Sequence, residues 1–177
     1  MSVSVNIGAD HLLQNNFSVR LQNLLIQHSK IAPSCLELEI LETAALANLD
    51  HAIAVMNQCQ KFWCRFFTGR FWYRLLFTGL FSKIAIQNIK IDQSFVRDMT
   101  KDDNDFEIVE SVIRLARAFN RPVIAEGVET IEHARMLVEL GCIFAQGYGI
   151  SRPLPPDKLI KWIEEWQKNA IWTSFEL

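Results

Sequence analysis

Between Asp50 and Asp92 this 177-residue chain contains no Asp or Glu, although acids are spread through the rest of it. That stretch can supply no carboxylate to a metal, a base or an ion pair. Cysteine is also sparse. Cys35, Cys59, Cys64 and Cys142 have neither the paired spacing of a zinc site nor the density of a disulfide scaffold. Reduced thiols in a cytoplasmic compartment are therefore expected. An excess of positive charge is missing as well: the formal net charge is -2 and the pI about 6.1. This argues against a nucleic-acid polymer as partner, which would require a basic face. The first ten residues, MSVSVNIGAD, lack a basic region followed by an apolar run, so no signal peptide is expected.

What fills the acid-free stretch is unusual. Phe62 to Phe81 reads FWCRFFTGRFWYRLLFTGLF, with nine aromatic residues in twenty. A membrane-spanning helix needs ~20 mostly apolar residues. Arg65, Arg70 and Arg74, with Gly69 and Gly79, interrupt this block, and arginines so placed are costly in lipid. A membrane role is not expected. The block could instead present aromatic surface to a protein partner.

On either side the pattern is regular. Half of the residues are hydrophobic and 21% are charged, a balance that suits one globular domain with a real core. Val3 to Ile7, Leu36 to Ile40, Ile86 to Ile91, Pro122 to Ala125 and Ile143 to Ala145 read as strands. Apolar spacing predicts helices over Leu12 to Ile26, Thr43 to Gln60, Asp102 to Asn120, Ile131 to Leu140 and about Pro156 to Gln167. Strands alternating with helices of this length point to parallel β-α units, in a doubly wound sheet or a barrel. In both architectures chemistry gathers at the C-terminal ends of strands.

Those ends carry Asn6, Glu39 with Glu42, Lys90 with Asp92, Glu126 with Glu129, and Gln146. Carboxylate and carbonyl oxygens are the ligands preferred by Mg²⁺ and Mn²⁺. Two such ions can activate water and stabilise charge on a phosphoryl group.

In order and spacing, SVNI, LELEILE, NIKIDQSFV, VIAEGVET and GCIFAQGYGISRPLP resemble the EAL-domain phosphodiesterases that hydrolyse cyclic di-GMP. The resemblance runs from about Val3 to Trp166. It implies a TIM-like β/α barrel that binds two Mg²⁺ or Mn²⁺ ions at its C-terminal mouth, and pGpG as product. By motif, Asn6 and Glu39 would be metal ligands, and Lys90 would position water or phosphate. Glu126 would bind metal or act as base. Glu129 would anchor the loop bearing further acids, Gln146 would line the nucleotide pocket, and Asp92 would contact substrate. The expected organisation is one partial domain of this type over 1–168, with a tail over 169–177.

Two departures accompany the resemblance. The family opens with a strand and helix carrying its Glu-Ala-Leu motif, ahead of the segment that matches SVNI. A (β/α)₈ barrel typically needs ~250 residues. The expectation is thus an incomplete barrel with open strand edges and one ligand fewer. The second departure is the aromatic block, which stands where the family has GVxxxLDDFGTGYSSL with its metal-bridging aspartates. Reading the block one base out of frame turns Trp63 and Trp72 into glycine, as the family pattern requires. Suitable codons for Arg65 through Phe81 then give AFSLDDFGTGYSSLAYF, with the acid pair at Gly69 and Arg70. This implies a frameshift entering near Gln60 to Phe62 and a compensating one near Phe81 to Ile84. The chain as written is expected to be catalytically impaired: a binding module or a relic.

Several residues invite plainer readings. Glu37 and Glu42 can be the outer face of a strand, Lys90 an exposed strand residue and Asp92 a turn cap. Trp162 and Trp166, four apart, suit a packed helix face. Gly147 and Gly149 suit backbone geometry. His11, His28, His51 and His133 show no ligand spacing and are assigned no role.

Overall fold

A computed structural model describes residues 2–40, 49–62, 65–68 and 86–169. Glu42, Cys64, the start of the helix expected at Thr43, and most of the aromatic block lie outside the described residues. So does the far end of the proposed frame change. The chain divides into two compact units, Met1–Lys90 and Ile91–Leu177.

The first unit is a parallel sheet covered by helices. Strands β1 (Val3–Ile7), β2 (Leu36–Ile40) and β4 (Ile86–Ile91) fall where alternation predicts them. A further strand, β3 (Arg65–Thr68), lies inside the aromatic block and was not expected there. It runs parallel between β2 and β4, with Leu38 opposite Phe66 and Glu39 opposite Phe67. Phe66 is fully buried, as are Leu38 and Ile89. Burying such side chains stabilises by roughly 1.5–3 kcal/mol each, enough to hold a short strand of arginine and aromatics in a sheet.

The helix predicted from Leu12 to Ile26 is two helices, α1 (Ala9–Leu12) and α2 (Phe17–Gln27). The chain turns between them, with the Phe17 N–H donating to Gln14 O at 2.9 Å. Asn15 and Asn16 disfavour helix interiors because their amides compete for the backbone. Leu12 and Phe17, five apart, would also fall on different sides of one helix, yet both are buried. The turn re-aims Phe17. Helix α2 packs against α3 (Leu49–Gln60), where Ser18 Oγ donates to Gln58 Oε1 at 2.9 Å.

The second unit opens with a short helix that alternation did not reveal, α4 (Gln93–Asp98). Helix α5 (Asp103–Ala118) packs on α4 and buries Val109, Val112, Ile113 and Ala116. Asp102 caps α5, its carboxylate accepting from the Asn104 N–H at 2.8 Å. Strand β5 (Val123–Glu126) pairs in parallel with β6 (Phe144–Gln146), and α6 (Ile131–Glu139) connects them. Gly141 ends that connection at φ 88°, a conformation that favours glycine. The last helix, α7 (Pro156–Trp166), buries no residue, though Trp162 and Trp166 stack with ring centroids 5.3 Å apart. Among the described residues no helix is long and apolar enough to cross a membrane.

Candidate functional site

In the first unit, parallel register sets Asn6 on β1 directly beside Glu39 on β2. In-register neighbours lie ~4.8 Å apart across the strands and their side chains share a face. Leu38 and Ile40, on the opposite face of β2, are buried. Glu37 shares the face of Glu39 and accepts from Ser4 Oγ at 2.8 Å, so this row is polar over two steps. Lys90, near the end of β4, reaches across to Glu39: its Nζ donates to Glu39 Oε2 at 2.7 Å. Lys90 is 4% exposed, which corrects the plainer reading of it as a solvent-facing strand residue. A buried ammonium needs a carboxylate, and Glu39 supplies one.

Strand β3 lies between them and ends at Thr68. Gly69 and Arg70, where the alternative reading frame puts two aspartates, follow immediately in sequence but lie outside the described residues. No placement of residues 69–85 could add a carboxylate, because none is encoded there.

In the second unit, Glu126 and Gln146 are the last residues of β5 and β6 and face each other in register. Glu126 is half-buried, while Gln146 and Glu129 are exposed. The turn after β5 is held closely. Gly127 has φ 75°, and a Cβ there would press on Gln93. The Val128 N–H donates to Gln146 O at 3.0 Å, and the Gly149 N–H to Val128 O at 2.9 Å. Gly147 and Gly149 lie so close to the Val128 and Glu129 backbone that a side chain at either would overlap it.

His133, to which the sequence assigns nothing, completes this turn. It is 5% exposed, and its Nδ1 accepts from the Glu129 N–H at 3.3 Å. Thr130 Oγ1 in turn accepts from the His133 N–H at 3.2 Å. This differs from a capping box, because the histidine side chain receives the N–H of Glu129, the residue before the Thr130 cap, rather than that of the cap itself. The signal was present in Thr130-Ile-Glu-His133, a hydroxyl cap followed three residues on by a side chain able to accept.

Asp92 is buried and serves as the N-cap of α4, its Oδ1 accepting from the Ser94 N–H at 2.8 Å and from Ser94 Oγ. The geometry supplies the turn-capping role for this residue.

Hard divalent cations require several oxygen donors, most of them anionic. Among the described residues no three His, Cys, Asp or Glu side chains cluster so as to hold a metal ion. The polar row of Asn6 and Glu39 offers one amide and one carboxylate, and Lys90 already offsets that carboxylate's charge. These donors do not fit a two-metal centre.

Parallel β-α units that carry an amide, acids and a lysine at their strand ends define a protein of the α/β class. The EAL domain family model matches residues 1–153, and the chain belongs to that family. It is 28% identical over 159 residues to the bifunctional diguanylate cyclase/cyclic di-GMP phosphodiesterase MucR of Pseudomonas aeruginosa, covering 90% of this chain and 23% of MucR. It is 31% identical over 168 residues to the probable cyclic di-GMP phosphodiesterase PdeN of Escherichia coli, covering 91% of this chain and 31% of PdeN. The chain thus spans less than a third of these curated relatives. Among solved structures, the EAL enzyme Bd1971 in its cAMP- and cyclic-di-GMP-bound form superposes with a TM-score of 0.83 at 30% identity, over 92% of this chain and 43% of that one. The MucR phosphodiesterase in complex with cyclic di-GMP gives 0.79 at 27% identity, over 89% and 64%.

Proposed function

We propose that this chain is an EAL module that retains strand-end groups for cyclic di-GMP but not the acidic centre of phosphodiesterase chemistry. One observation carries the reading. Glu39 is engaged by Lys90 at 2.7 Å, and β3, alongside Glu39, is followed by a stretch with no carboxylate to add. The similarity to MucR and PdeN supports the ligand; the lost acids oppose turnover. In the second unit we assign Gln146 and Asp92 to nucleotide contact, Glu129 to loop anchoring and Glu126 to a metal or base role; in the first unit we assign Asn6 and Glu39 to metal binding and Lys90 to positioning water or phosphate. Mg²⁺ or Mn²⁺ would supply water activation in an intact member of the family.

The test has two arms. Purified protein incubated with cyclic di-GMP and Mn²⁺ should form negligible pGpG, and appreciable pGpG would overturn the loss of catalysis. Calorimetry with the same nucleotide should show saturable binding; no heat at high concentration would overturn the binding role.

A second reading is favoured by β3 itself. Arg65–Thr68 forms a strand that pairs in parallel with β2 and β4, with a register shift against β4 between Phe66 and Phe67, so in the alternative frame the two aspartates would follow its C-terminal end, where a barrel enzyme carries its ligands. On this reading the gene encodes a phosphodiesterase and the aromatic block is a frame error. Resequencing the DNA across Gln60 to Ile84 decides it: DDFGTG in one continuous frame supports the enzyme, and an unchanged aromatic block removes it.

A further inference from the structure

The second unit has a cleft at the end opposite Glu126 and Gln146, and it is charged differently. Its volume is about 360 Å³, and its lining includes Arg117, Arg121, Val123, Ile143 and Phe144. Val123 and Phe144 are the first residues of β5 and β6, whereas Glu126 and Gln146 are the last. Sites for small organic ligands run from roughly 300 Å³ upward, so the space suits a ligand of about one ring and one polar group.

Two guanidinium groups line this cleft, and among the described residues no acidic side chain does. Arg117 lies along the turn after α6, its Nη2 donating to Leu140 O at 3.2 Å. Gly141 makes room for it, since a Cβ there would overlap that nitrogen. One of its five N–H donors is accounted for by that bond. Arg121 is half-buried, and among the described residues it forms no ion pair. Arginine at a helix C-terminus ordinarily complements the helix dipole. Here, though, the end of α5 is already closed by backbone bonds, with the Arg121 N–H donating to Ala116 O at 2.9 Å. The opposite wall is apolar and lies at the start of β6, which among the described residues pairs with β5 alone and is an open edge of the sheet. Ile143 and Phe144 are 53% and 50% exposed in the same concavity.

Guanidinium forks match carboxylate and phosphate oxygens, and an exposed phenyl ring beside them offers a stacking surface. We propose that this cleft binds a small organic anion with a planar ring, its carboxylate or phosphate held by Arg121 and Arg117 and its ring against Phe144 and Ile143. The inference does not depend on the cyclic di-GMP reading, because its residues belong to the other end of the strands.

Phenyl phosphate is a suitable probe, followed by amide chemical shifts of the full chain. The expected result is saturable shifts confined to residues 120–123 and 141–144. Inorganic phosphate and benzyl alcohol, each lacking one half of the ligand, should bind about tenfold more weakly or worse. Arg121→Gln, which keeps a polar side chain and leaves the Leu140 contact intact, should weaken phenyl phosphate by about tenfold with the remaining spectrum unchanged. Phe144→Ala should weaken it too. Shifts that fail to saturate, that fall elsewhere, or that persist equally in Arg121→Gln would overturn the site. Equal affinity for inorganic phosphate would overturn the ring-bearing class.

Discussion

Lys90 Nζ lies 2.7 Å from Glu39 Oε2, with the two side chains 5% and 13% exposed. A charge pair so withdrawn from water adds little net stability over an apolar pair of equal volume, yet losing one partner strands the other. Lys90→Met should therefore cost ~3 kcal/mol or more in chemical denaturation, and Glu39→Gln a similar amount. The double variant should recover much of either loss. Additive losses in the double variant would show that the two side chains are not coupled.

The close approach of Gly147 to Val128 makes a second prediction. No positive φ is involved; the constraint is space, because a Cβ would overlap backbone atoms that cannot move independently. Gly147→Ala should destabilise the protein by ~3 kcal/mol and loosen the turn that His133 holds through the Glu129 N–H. Gly8→Ala is the control, since among the described residues nothing lies within 4 Å of a Cβ there. It should change stability by less than ~0.5 kcal/mol. Similar midpoints for the two variants would remove the packing argument.

Asp102 tests the local signals. It accepts from the Asn104 N–H at 2.8 Å at the start of α5, on the exposed surface, so little besides the cap is at stake. Asp102→Ala should cost ~1 kcal/mol and Asp102→Ser much less. Equal losses in both would assign the effect to charge rather than to capping.

The parallel β-α order and the polar strand ends were legible because period-2 and period-3.6 patterns are strong over β2, β4 and α5. Parallel register then places Asn6 beside Glu39 and Glu126 beside Gln146, which the sequence could only suggest. The missed pieces have local causes. Helix α4 is six residues long, too short to show a period. The break after Leu12 depends on where Phe17 must be buried, a tertiary demand. Strand β3 was missed because it lies inside a block set apart as anomalous, although its Phe and Thr favour strands, and it forms because the Leu38 row accepts Phe66. His133 escaped notice because its role is to receive a backbone N–H rather than to act on a ligand.

Cys142 gives a prediction that turns on pH. Its thiol is buried beside the Val123 and Phe144 carbonyls, and desolvation of the thiolate pushes its pKa from 9.0 up to about 11. Below 9.0 the thiol keeps its proton in the folded and unfolded chain alike, and no dependence arises. Between 9.0 and about 11 the unfolded chain loses the proton while the folded chain holds it, so stability should fall as pH rises through that window. The slope is roughly 1.4 kcal/mol per pH unit at most, and it levels off above the folded value. Other groups titrate there too, but they are common to a Cys142→Ala variant. Subtracting the variant's denaturation curves should leave a loss of roughly 2–3 kcal/mol across the window. The same burial makes the thiol inert, so a maleimide near pH 8 should label the partly exposed Cys35 well before Cys142. Rapid labelling of Cys142 in the folded protein, or a flat difference between the curves, would contradict its burial against β5.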